Sequence, residues 1–444
     1  MLAANYMKKK SIPADLLQLI RSMSKAEKRA FRLDSSRYKS ADGTPKSYLQ
    51  VYEQLLNLDQ EAPLPEINAT DQEYLFQLLT DSLVQQQHRN SPESALREQL
   101  SAAHLLYQRG LEKRAHRLLE KLSESATAAG LFEFALEVTS LSLRLVNGMG
   151  QINTAEKIIA RRGELMAALG RMHETDLLLL KLSKADSDKS KVIDDILNSD
   201  LLSRKPLSVP EEIQRTHLLA HIGAERKNVS EMLKHHERAL QLFEQHPAVM
   251  AVRQEQYITM VFNSGLLAYR SQTAPEMKQA VLRLQQFWLN APVHLRSRIQ
   301  RNMIELELRG HICCGKIEDA AEAIPRAMQI LNETEAGTDT ARDGFIRYFA
   351  ALAAYHNGKF REAVRILQTV CDSSTINTHW PRLYAFASLL RMACHWQAGN
   401  TETSETLLLG FRRNKSFETA RNMPETTLLI KNIKKYPGGN EWLL

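Results

Sequence analysis

The feature that most constrains this chain is a beat of turn signals spaced by about forty residues. Gly110, Gly150, Lys189, Lys227, Gln272, Gly315, Gly358 and Gly399 each stand in a short break between segments whose apolar residues recur at spacings of three and four. A second set falls between them: Gly130, Gly170, Pro210, Pro247, Pro292, Gly337, the Asn377 to Pro381 stretch and the region before Pro424. Turns this frequent predict helices that fold back on one another in series. A chain of 444 residues built that way needs no single central core. Composition agrees, because Gly (18) and Pro (14) are sparse while the hydrophobic share is an ordinary 43%. The expectation is an all-α protein.

The segments after the turns share a pattern as well. From Gly358 the chain reads GKFREAVRILQTV, with Phe360, Ala363, Val364, Leu367 and Val370 on one helical face; from Gly315 it reads GKIEDAAEAIPRAM, with Ile317, Ala320, Ala321, Ile324, Ala327 and Met328. A small residue stands five after the glycine at Ala115, Ala155, Ala320 and Ala363, and Ser404 holds the same place after Gly399. A small side chain there lets the paired helix come close. Pro325 is expected to interrupt its helix.

HNGKFREAVRIL (356–367), and less closely AGNTETSETLLLGF (398–411), resemble the tetratricopeptide repeat, in which Gly, a hydrophobic residue and then Ala mark the second helix of a pair. The period is longer than that family's. The resemblance implies an α–α superhelix, a tetratricopeptide-like solenoid of antiparallel helix pairs over 91–422. A basic helical cap is expected over 1–90 and a tail over 423–444. By the same resemblance the first helices line a groove for a peptide or partner protein. The residues near the ends of those helices are then its candidates: Tyr107, Tyr269, Arg270, Arg309, Tyr355, His356 and Trp396. Aromatic and Arg side chains are good interface anchors. The same aromatics would also serve as packing between repeats, and both readings stand at this point.

One stretch looks like catalytic machinery. GHICCGKI (310–317) has the glycine spacing and the lysine of a phosphate-binding loop, but Ile317 follows Lys316 where such a loop needs Ser or Thr for magnesium. It also falls where the other repeats turn, so it is expected to be a turn. His217 and His221 share a helix face in HLLAH, yet the Glu of a zinc-hydrolase motif is missing. His311, Cys313, Cys314, Cys371 and Cys394 form no ligand spacing, and thiols of this kind are commonly small core fillers. No G-x-S-x-G elbow occurs. The expectation is a protein without catalysis, cofactor or metal.

Net charge is +7, and residues 8–46 carry all of it, with eleven Lys or Arg against four acids. In that segment Leu16, Leu17, Ile20 and Met23 form one apolar face behind Pro13, Ser24 with Glu27 makes a capping-box pattern, and KSYLQVYEQLL continues as another helix. Two readings stand here also. The segment is the cap of a repeat array, or it is a nucleic-acid-binding head contacting phosphates through Lys25, Lys28, Arg29 and Arg32, joined to a helical sensor. The first residues carry lysines with no apolar run behind them, and no segment approaches the roughly 18 apolar residues of a membrane span. Few cysteines and no disulfide pattern add to an expectation of a cytoplasmic protein that does not insert into membranes.

Overall fold

The computed structural model describes residues 15–17, 19, 20, 23, 25–36, 47–57, 69–88, 92–184, 189–333 and 340–413. These form helices joined by short turns, and no strand occurs among them. The fold class is all-α, with helix pairs stacked in series as in an α–α superhelix. Internal contacts divide the chain into two compact units, Gln85–Arg283 and a second made of Met1–Val84 with Leu284–Leu444. Residues 423–444 lie outside the described residues.

The N-terminal part holds α1 (Lys25–Ser36), α2 (Ser47–Leu56) and α3 (Ala69–His88). Leu16, Ile20 and Met23 are fully buried against Phe31, Tyr52, Leu55, Leu75 and Leu79, so the apolar face seen in the sequence is a core face. Phe31 and Tyr52 pack with ring centroids 4.9 Å apart. Pro13 and Ser24, the expected start signals, lie outside the described residues.

The unit Gln85–Arg283 runs through α4 (Pro92–Gln108), α5 (Glu112–Ala128), α6 (Phe132–Gly148), α7 (Ile152–Lys184), α8 (Lys189–Leu197), α9 (Asp200–Ser203), α10 (Val209–Glu225), α11 (Val229–Gln245), α12 (Pro247–Val252), α13 (Gln254–Arg270) and the first part of α14 (Ala274–Asn290). The helices α6, α10 and α13 bury residues on most of their circumference. Gly130 is required by a close approach: a side-chain carbon there would lie 2.3 Å from Pro210 Cγ. Beside that contact Glu211, fully buried, pairs with Arg215 and accepts from the Leu207 N–H at 2.6 Å, while Arg171 of α7 donates to the Lys205 carbonyl at 2.9 Å. The bonds from Arg215 and the Leu207 N–H satisfy a carboxylate that burial alone would penalise heavily.

After α14 the chain continues as α15 (Val293–Cys313), α16 (Ile317–Glu333), α17 (Thr340–His356), α18 (Phe360–Cys371), α19 (Ser374–His379), α20 (Pro381–Gln397) and α21 (Thr401–Arg413). The turns follow one chemistry in both units. Gly110, Gly130, Gly150, Gly315, Gly358 and Gly399 have φ from +68° to +80°, and Lys227 and Gln272 take the same left-handed conformation at +55° and +56°. Each closes its helix with two backbone bonds; at Gly358, the glycine N–H donates to Tyr355 O at 3.0 Å and the Lys359 N–H to Ala354 O at 2.8 Å. Five residues on, Ala115, Ala155, Ala320 and Ala363 are buried as expected. Ser404 is buried too, donating its hydroxyl to the Met392 carbonyl at 3.1 Å.

The turn expected at Gly170 does not form. α7 passes straight through it as a helix of 33 residues. Good helix formers surround that glycine (Ala167, Ala168, Leu169, Arg171, Met172), and a lone exposed glycine costs a helix only about 1 kcal/mol. About Lys189, by contrast, one helix does give way to the next: α7 ends at Lys184 and α8 opens at Lys189. Pro325 does not interrupt α16 either, because it stands exposed, where the lost backbone bond is on the solvated side. The expected turns at Gly337 and before Pro424 lie outside the described residues.

Candidate interaction surface

The stretch 310–317 is a helix end. Gly310 to Cys313 form the last turn of α15, Gly315 is left-handed, and the Lys316 N–H donates to the His311 carbonyl at 2.9 Å. Those N–H groups therefore close a helix and do not ring an open concavity. His217 and His221 meet edge to face on α10 with ring centroids 4.6 Å apart. Among the described residues no three His, Cys, Asp or Glu groups are placed to hold a metal ion. Burial pushes the Cys394 thiol up to about 12, which suits a core filler.

The groove candidates fall at one structural position. Tyr107, Tyr269, Tyr355 and Trp396 each lend their carbonyl to the N–H of the left-handed turn residue three places on, so they mark the rims of the helix pairs. Tyr107 and Arg270 are exposed, while Tyr269, His356 and Trp396 are partly buried. Tyr355 is buried; its ring lies 5.4 Å from that of Phe360 across the turn and 5.7 Å from His356. Burial pushes its phenol up to about 12. Beside Tyr107, Leu100, Ser101, His104, Leu105 and Gln108 of α4 with Glu137 of α6 line a shallow depression of about 400 Å³.

Arg309 has a different setting. Its Nε and Nη2 both donate to Glu305 Oε1, at 3.0 and 2.6 Å, and its guanidinium lies 4.0 Å from the ring centre of Phe349 and 5.6 Å from that of Phe345. Phe345 in turn meets Trp380 edge-on at 6.4 Å. Trp380, the residue before α20, is 46% exposed. Arg309, Phe349, Phe345 and Trp380 thus make one continuous row of contacts across α15, α17 and the start of α20, with Phe349 buried beneath it, Phe345 half-buried and Trp380 its exposed end. Next to it the buried Arg301 binds Asp343 at 2.7 Å and the Ser297 hydroxyl at 2.8 Å, which fixes α15 against α17. Gly344 allows the approach of the following helices, since a side chain there would meet Leu383 at 2.8 Å and Ile376 at 3.0 Å.

Only Arg309 of this patch is among the sequence candidates. Phe345 and Phe349 are four apart on a first helix, and Trp380 directly precedes a helix-opening proline. That pairing is visible in the sequence, but which face it takes is not. On α1, Arg32 is held by Glu53 through two bonds of 2.8 and 2.6 Å, whereas Lys25 and Arg29 are exposed and Lys28 is partly buried. No helix among the described residues is long and apolar enough to cross a membrane. No protein-family model and no curated protein matches the sequence.

Proposed function

We propose that this chain is a non-catalytic protein-interaction scaffold of tetratricopeptide-like type, holding a peptide or partner protein on the face of its first helices. The Trp380 patch supports the reading: an exposed indole is backed by Phe345, Phe349 and an arginine already neutralised and stacked. Large aromatic side chains on a pre-organised base are the usual anchors of a binding site, because little rotamer freedom is lost when the partner arrives. Four unpaired thiols accord with work in the reducing cytoplasm.

The experiment is capture of partners from the native lysate with two baits, the unaltered chain and Trp380→Ala, with a photo-crosslinking residue placed at 380 in a third. The reading expects a protein captured by the first, depleted on the second and crosslinked to the third. Equal capture by the first two baits, with no crosslink from 380, would remove this patch from consideration.

A further inference from the structure

The absent turn at Gly170 leaves a consequence on the surface of α7. The chain runs straight on there, and along α7 Ile152, Ile159 and Met166 are 72%, 57% and 53% exposed. Further along the same face Leu177 and Leu180 are 58% and 48% exposed. Between them lie Gly163 and Gly170, each with open space where a side chain would stand. With Glu156, His173 and Lys184 these residues alternate along α7 at spacings of four and three, and every one is exposed. That is the spacing of a coiled-coil seam, drawn along about 48 Å of helix with nothing upon it among the described residues.

From this face we infer that α7 pairs with α7 of a second copy of the chain, antiparallel and about a two-fold axis. Size at the centre and charge at the ends favour that occupant. In one antiparallel register Met166 faces Gly170 of the second copy and His173 faces its Gly163, so the glycines receive the large side chains; Ile159 faces Leu177 as an apolar pair, and Leu180 and Ile152 lie along the aliphatic stems of Glu156 and Lys184. Every contact is made twice, as a two-fold requires. Glu156 arrives within a turn of Lys181 and Lys184 of the second copy, so the end charges attract. A parallel pairing would set Glu156 on Glu156 and leave paired glycines facing each other across voids. The same helix reversed brings Met166 and His173 to the two glycines and its lysine end to Glu156, a match an unrelated helix has no reason to make.

The test is sedimentation equilibrium of the full chain across the micromolar range. The expected result is a dimer whose dissociation constant rises roughly a hundredfold in Met166→Glu. Gly170→Leu is the sharper variant. Leucine is the better helix former, so the monomer keeps its helix and melts no lower, yet it fills the space Met166 needs, and dissociation should rise by roughly tenfold. A chain that is monomeric throughout overturns the inference, and so does a dimer indifferent to either substitution. The dimer is independent of the peptide-binding reading: a monomer that still loses its partner in Trp380→Ala would remove the dimer and keep the scaffold.

Discussion

Gly223 faces Met232 across the Lys227 turn, with the Met232 Cγ only 3.1 Å from where a side-chain carbon on Gly223 would stand. Elsewhere the residue five after the turn is small (Ala115, Ala320, Ala363); here it is methionine, and the small residue has moved to the preceding helix. The Gln272 turn makes the same exchange, with Ala268 and Met277 both buried. Close approach is thus a property of the pair. Gly223→Leu and Ala363→Leu should each destabilise by roughly 1 to 3 kcal/mol through overpacking. Urea midpoints check this, and unchanged midpoints would mean that these helix pairs have room to spare.

Lys227 and Gln272 hold left-handed backbone with φ near +55°, which a residue bearing Cβ adopts at a cost of roughly 1 to 2 kcal/mol. Lys227→Gly and Gln272→Gly relieve that strain but loosen the unfolded chain. The expected net gain is about 0.5 to 1 kcal/mol each. Calorimetric melting would show it as a rise, whereas a fall would mean that the side chains contribute contacts beyond the turn.

These positions also show how far the sequence could be read. Lys227 and Gln272 have no glycine to mark them, and only the spacing of their neighbours located them; the same spacing placed a turn at Gly170 that α7 ignores. Period finds where a turn is due, while the local competition between helix propensity and turn chemistry decides whether it forms. The patch of Arg309, Phe345, Phe349 and Trp380 was less legible. It depends on which helices lie side by side, and Arg301 with Asp343 sets that at a separation of forty-two residues. Tyr355 could be placed near a turn from sequence, but not on its buried side.

Lys316 follows the left-handed Gly315 and is exposed. Its backbone N–H closes α15, a bond that substitution leaves in place. Lys316→Ala should therefore change stability by less than about 0.5 kcal/mol. Isothermal titration with magnesium ATP should show no binding to either form. Specific binding by the unaltered chain, lost in Lys316→Ala, would restore the nucleotide-loop reading.

Burial holds His217 and His236 neutral, each with a pKa of about 4 against an ordinary 6.5. Between those values the unfolded chain binds protons that the folded chain does not. Stability is therefore complete above about pH 6.5, falls as the pH drops toward 4, and takes no further loss from these groups below that. At pH 5 the loss is about 2 kcal/mol per histidine. Urea titrations at pH 7 and pH 5 measure it, and replacing both histidines with glutamine should flatten the difference. An equal slope in that variant would assign the acid sensitivity to other groups.

The aromatic side chains of the first helices differ in what they do, and three substitutions separate them. Tyr355 is buried against Phe360, so Tyr355→Ala should cost roughly 3 kcal/mol or more as a cavity and lower the melting temperature, with affinity intact in the molecules that stay folded. Trp380 is exposed and packs against Phe345. Trp380→Ala should leave melting nearly unchanged and weaken partner binding by about 2 kcal/mol. Trp396, partly buried at the rim of its helix pair, should show a fraction of both effects. Each variant is followed by circular dichroism on heating and by affinity for whichever partner crosslinks from position 380. If Tyr355→Ala abolishes binding without altering the melt, the working surface lies along the rims near the turns. If Trp380→Ala lowers the melt and spares affinity, the indole is part of the packing between α17 and α20, and the patch is structural.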